Sequence, residues 1–68
     1  FKYINMQEGI IKLFNKSKGF GFIRSDNGGD DIFFHSSGLI DKVDENDRVI
    51  FDLQRTLEGI VAINIKKI

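Results

Sequence analysis

The chain has 68 residues, with ten basic and ten acidic side chains, seven Phe, one Tyr, and no Cys, Pro or Trp. One domain is expected at this length, and such a domain buries only about 60% of the surface its unfolded chain exposes, so the core is thin. Without Cys there are no disulfide staples, no Cys-ligated zinc or iron–sulfur site and no thiol nucleophile. The same lack fits a reducing, cytoplasmic setting. No stretch approaches the roughly 20 apolar residues needed to cross a bilayer, so no membrane partner is expected.

The formal net charge is zero, which taken alone argues against nucleic acid as a partner. The zero is a sum of unlike parts. Residues 1–24 carry a net +4, residues 25–58 a net −6, and residues 59–68 a net +2. Local fields follow placement, so a neutral chain can still present a basic face. The plainer reading is that these are ordinary solvated charges.

Phe1–Asn5 precede Met6. A start at Met6 would make them an upstream extension or an expression remnant, with the domain running over 6–68. From there a period of two dominates. Gly9–Asn15, Lys18–Arg24, Asp31–His35, Arg48–Leu53 and Ile60–Ile65 are the five strand candidates. The breaks between them carry turn chemistry, and Asn27-Gly28-Gly29 readily supplies residues with positive φ. Ser36–Asp47 has room for one helical turn around Ser37–Ile40 but not for a packed helix. Five short strands predict a small all-β protein, a five-stranded antiparallel barrel whose closure removes exposed edges.

Five of the eight aromatic residues lie between Phe14 and Phe34. On a strand, Phe20 and Phe22 share a face with Lys18 and Arg24, while Gly19, Gly21 and Ile23 share the other. Phe33 and His35 likewise oppose Ile32 and Phe34. If Ile23, Ile32 and Phe34 are core, then Phe20, Phe22, Phe33 and His35 point outward, and the glycine face approaches something closely. The alternative places Phe20 and Phe22 in the core. The Lys18 and Arg24 charges on the Phe face favour the outward arrangement. It gives a ring platform edged by Lys12, Lys18 and Arg24, suited to single-stranded nucleic acid, whose bases stack on rings while cations track phosphates.

Lys18-Gly19-Phe20-Gly21-Phe22-Ile23 fits the opening of the RNP1 pattern, with Ile for Val. The RNA-recognition motif that carries this string needs two packed helices, for which no segment here suffices. The cold-shock OB-type barrel needs five strands and none. The chain resembles the cold-shock domain, a bacterial family of single-stranded RNA and DNA binders. Met6-Gln7-Glu8-Gly9, Lys12-Leu13-Phe14-Asn15, Lys18–Ile23, Asp31–His35 with Ser36-Ser37-Gly38-Leu39, Asp47–Phe51 and Gly59–Ile65 carry the likeness, in order and from Met6 onward.

The resemblance implies an OB-fold and a nucleic-acid site made of Lys12, Lys18, Phe20, Phe22, Asp31, Phe33 and His35. Phe20, Phe22, Phe33 and His35 would stack on bases, Lys12 and Lys18 would lie near phosphates or base edges, and Asp31 would hydrogen-bond base edges. Leu13, Asn15, Arg24 and Ser36 are secondary candidates. The sequence departs from the pattern at Leu13, where an aromatic is usual, and at Ser36, where Phe is frequent. It also departs in a short third loop, at Glu58 where a base is common, and at Ile60 where Pro is common. These departures imply fewer nucleotides bound and weaker affinity.

No enzyme, metal site, cofactor or small-molecule substrate is expected. General acid–base work needs partnered groups in a cleft, and Asp30-Asp31 on a strand would point to opposite faces. The expected function is that of an RNA chaperone, which keeps single strands from re-pairing. A monomer is expected. The competing reading is a protein-interaction module that uses the same aromatic patch, or a dimer that swaps strands across Ser36–Asp47.

Overall fold

Five strands form where the alternating segments lie: β1 (Gln7–Asn15), β2 (Phe20–Ser25), β3 (Ile32–His35), β4 (Arg48–Thr56) and β5 (Gly59–Lys67). This computed structural model describes residues 6–68, so the expectation for Phe1–Asn5 lies outside the described residues. The sheet closes on itself in the order β1-β2-β3-β5-β4, the expected OB-type barrel. Four junctions are antiparallel, and β3 pairs with β5 in parallel through Phe33–Val61 and Phe34–Ala62. The parallel seam is a matter of parity. An odd number of strands cannot alternate direction all the way around a ring, so one junction of a five-stranded barrel must run parallel.

The core consists of Ile11, Ile23, Phe34, Val43, Val49, Phe51, Ala62 and Ile65, with Phe14, Ile32 and Leu39 packed against it. Ile23 and Phe34 face inward as expected, and Ile32 is half-buried at the rim. Gly21 pairs with both Phe14 and Phe34. A Cβ there would collide with the Leu13 carbonyl and come within 2.6 Å of the Phe34 ring. That contact is the close approach that a strand glycine signals.

Several boundaries differ from the sequence reading. β2 starts at Phe20 because Lys18 and Gly19 belong to a turn. The Asn15 side-chain oxygen accepts from the Lys18 amide at 3.1 Å, and the Asn15 carbonyl accepts from the Gly19 amide at 2.8 Å. The β4–β5 hairpin runs on to Thr56 and Gly59, where the Thr56 hydroxyl donates to the Gly59 carbonyl at 2.8 Å. Gln54, Arg55 and Thr56 are exposed and polar, which hides this extension from a hydrophobic pattern. The helical turn is one 3-10 turn at Ser36–Gly38, entered through His35.

β1 also carries a bulge. Ile11 pairs with Ile23, but Leu13 pairs with Phe22, so Lys12 is the extra residue. A bulge shifts the face of everything beyond it. Ile11 stays in the core, while Leu13 turns out beside Phe22 and Phe14 turns inward onto Phe34, with ring centroids 5.3 Å apart.

Candidate nucleic-acid interface

Phe20, Phe22 and Phe33 form one outward cluster. Cross-strand pairing sets Phe20 beside His35 and Phe22 beside Phe33. Phe20 and Phe33 lie nearly parallel, with centroids 6.0 Å apart and planes 19° apart. Phe22 stands edge-on to both, at 6.5 Å from Phe20 and 5.8 Å from Phe33. Such edge-to-face and offset contacts are the favoured ring geometries, so the three rings brace one another. Phe33 is 38% exposed and Phe20 and Phe22 are half-buried.

Around the barrel the rings belong to a longer row. Leu13 on β1, Phe22 on β2, Phe33 on β3, Val61 on β5 and Gln54 on β4 are successive register partners. Leu13 is 43% exposed and begins the row without a ring. Val61 and Gln54, which end it, escape sequence reasoning, because only the parallel β3–β5 seam brings them alongside Phe33.

His35 is exposed, and its ring is held in place. The Ser37 amide donates to Nδ1 at 3.1 Å, and the Ser37 hydroxyl lies 3.0 Å from the same nitrogen. An Nδ1 that accepts leaves the proton of the neutral ring on Nε2. The imidazole therefore caps the 3-10 turn and sits next to Phe20 at once.

The cations divide into paired and unpaired. Lys12 Nζ meets Asp31 Oδ2 at 2.8 Å, so the structure joins two expected site residues to each other. Lys16 is paired with Asp44, and Lys67 lies 3.5 Å from Asp47. Arg48 reaches Asp26 at 2.7 Å and Glu8 at 3.1 Å, and these bonds hold its guanidinium still more firmly protonated than usual. Lys18 and Arg24, both exposed, have no carboxylate within 4.0 Å among the described residues. The positive charge near the rings therefore rests mainly on these two.

Asn15 is committed to the turn. Its side-chain oxygen accepts from the Ser17 hydroxyl at 2.9 Å as well as from the Lys18 amide, so only its Nδ2 is left for a base edge. Ser36 is exposed at the start of the 3-10 turn, and its amide donates to the Gly19 carbonyl at 2.8 Å. The structure thus brings Phe20, Phe22, Phe33 and His35 together on one surface, with Arg24 further along β2, Lys18 in the turn that leads into β2 rather than on the strand, and the Lys12–Asp31 pair at the bulge.

The profile of the "Cold-shock" DNA-binding domain matches residues 7–68. The chain is 41% identical to the cold shock protein CspC of Bacillus subtilis, over 91% of this chain and 98% of that protein. It is 40% identical to the cold shock-like protein CspG of Shewanella violacea, over 90% and 93% respectively. Among solved structures, Drosophila Unr CSD456 superposes with a TM-score of 0.82 at 30% identity, over 94% of this chain; the chain spans 27% of that longer one. The chain belongs to the cold-shock domain family of nucleic-acid-binding β-barrels.

Proposed function

We propose that this domain binds unpaired RNA or DNA by stacking bases on Phe20, Phe22, Phe33 and His35, and that it acts as an RNA chaperone. The observation that carries the reading is the three-ring cluster, mutually braced and open to solvent on the barrel surface. A stacked base contributes about 1–3 kcal/mol, largely independent of its identity. Stacking on rings competes with stacking on neighbouring bases, so a loosely held strand is kept from re-pairing. Paired bases cannot reach the rings, so duplex binds poorly.

Electrostatics plays the smaller part. With Lys12 tied to Asp31, the surface offers Lys18 and Arg24 to phosphates, and each phosphate neutralised on a single strand contributes only about 0.7 to the salt slope. The reading is binding without catalysis, and it requires no cofactor. It places the domain with RNA in the cytoplasm, as a monomer.

The test is a titration of labelled pyrimidine-rich single strands and a matched duplex at two salt concentrations. Single strands should bind more tightly than duplex, with a shallow salt slope, and Phe20→Ala with Phe33→Ala should abolish the preference. Equal affinity for duplex and single strand, or a double variant that binds as well as the wild type, would refute the proposal.

A further inference from the structure

The row that carries Phe22 and Phe33 continues to Val61 and Gln54. There it borders a cavity of about 340 Å3 along the parallel β3–β5 seam, lined in part by Phe33, His35, Gln54, Val61, Ile63 and Asn64. No Lys, Arg, Asp or Glu lines this cavity. Its walls combine the Phe33 ring and the aliphatic Val61 and Ile63 with the His35 imidazole, the Ser37 hydroxyl and two primary amides. Apolar walls with a few placed polar groups are what a small-ligand site requires.

The two amides have different settings. Gln54 is exposed on the outer side of β4, opposite Val61. Asn64 sits at φ 52°, a left-handed conformation that Asn tolerates better than most residues. It lies close to the register shift at Ile50/Asp52, and its Nδ2 donates to Asp52 Oδ2 at 3.2 Å. That bond fixes the amide plane and leaves Oδ1 to accept.

We infer that the seam cavity is a base-reading subsite that takes one adenine from a strand lying on the rings; the inference rests on the single-strand reading above. A primary amide presents a donor and an acceptor side by side. This matches the N6 donor and N7 acceptor of adenine, the pairing for which Gln and Asn are suited. Guanine presents two acceptors on the same edge, N7 and O6, which call for Arg or Lys. Neither lines the cavity. Val61, Ile63 and the Phe33 ring give the bicyclic base apolar walls, which a smaller pyrimidine fills less completely. The rings thus hold any strand, and the seam selects one position on it.

The experiment measures binding of a short all-thymine strand and of strands carrying one adenine or one guanine at each position in turn. At one position the wild type should prefer adenine over guanine by about fivefold or more. Gln54→Ala should bring that ratio close to one. Asn64→Gly, which keeps the backbone conformation and removes the amide, should lower the ratio in the same way. A ratio near one at every position, or a ratio that survives Gln54→Ala, overturns the inference. If the all-thymine strand still binds and depends on Phe20 and Phe33, the proposed function stands and the adenine subsite alone falls. If no single strand binds, both fall.

Discussion

Lys12 Nζ donates to Asp31 Oδ2 at 2.8 Å, joining the β1 bulge to the residue just before β3. Both side chains are partly exposed, so the pair contributes at most about 1 kcal/mol. It does keep Lys12 from phosphates, because an arriving phosphate must displace a carboxylate already in place. Asp31→Asn removes that competitor and keeps an acceptor oxygen. The variant should bind single strands about two- to fivefold more tightly at low salt. Its salt slope should be steeper by about 0.7, the contribution of one more cation. Anisotropy titrations across a salt series read both quantities. Weaker binding would show that the Asp31 charge itself meets the base.

Leu13 is the site at which the ring row is thinnest. It lies beside Phe22 and is 43% exposed, so a larger side chain there has room. Leu13→Trp should extend the row by one ring and tighten single-strand binding by about fivefold or more, the low end of what one stacked base contributes. The wild type has no Trp, so the new indole is the only one, and its fluorescence should be quenched as a base stacks on it. Unchanged affinity with unquenched fluorescence would show that the bound strand does not reach β1.

The five strands and the outward rings were legible because alternation is a local signal and both faces of β2 and β3 are marked, one by Phe20 and Phe22, the other by Gly21 and Ile23. The Lys12 bulge was not. Strict alternation groups Leu13 with Ile11, and only the register shift separates them. The likeness to the cold-shock pattern marked Leu13 as a surface position where residue period could not. Nor could charge placement show that Lys12 and Asp31, 19 residues apart, neutralise each other. The seam residues Gln54 and Val61 depend on a parallel pairing between strands far apart in sequence, which no local pattern encodes.

Two glycines in neighbouring segments should respond very differently to alanine. At Gly21 the new methyl would collide with the Leu13 carbonyl and press on the Phe34 ring, both parts of the core wall. Neither can yield cheaply in a thin, close-packed core, so Gly21→Ala should cost about 3 kcal/mol or more. At Gly28 the φ is 81° and nothing lies within 4 Å, so Gly28→Ala meets only the strain of a left-handed backbone, about 1–2 kcal/mol. Chemical denaturation of the two variants provides the comparison. Equal losses would contradict the packing described for the β1–β2–β3 wall.

Asp44 ties the loop between β3 and β4 to the turn after β1. Its carboxylate accepts from Lys16, and the hydrogen bond first and the lysine charge second hold its pKa below the ordinary 3.8. Its amide meanwhile donates to Asp47 Oδ2 at 2.8 Å, next to the buried Val43. A depressed folded-state pKa means that the unfolded chain takes up the proton first. The pair therefore contributes stability at and above pH 3.8, and this contribution is lost as pH falls through the lower, folded-state value. Lys16→Ala should move the Asp44 midpoint up towards 3.8, as followed by NMR of its carboxyl carbon. The variant should be less stable than the wild type at neutral pH, and the gap should close in acid once Asp44 is protonated in both. A gap that stays constant down to strongly acidic pH would mean that Lys16 acts through something other than Asp44.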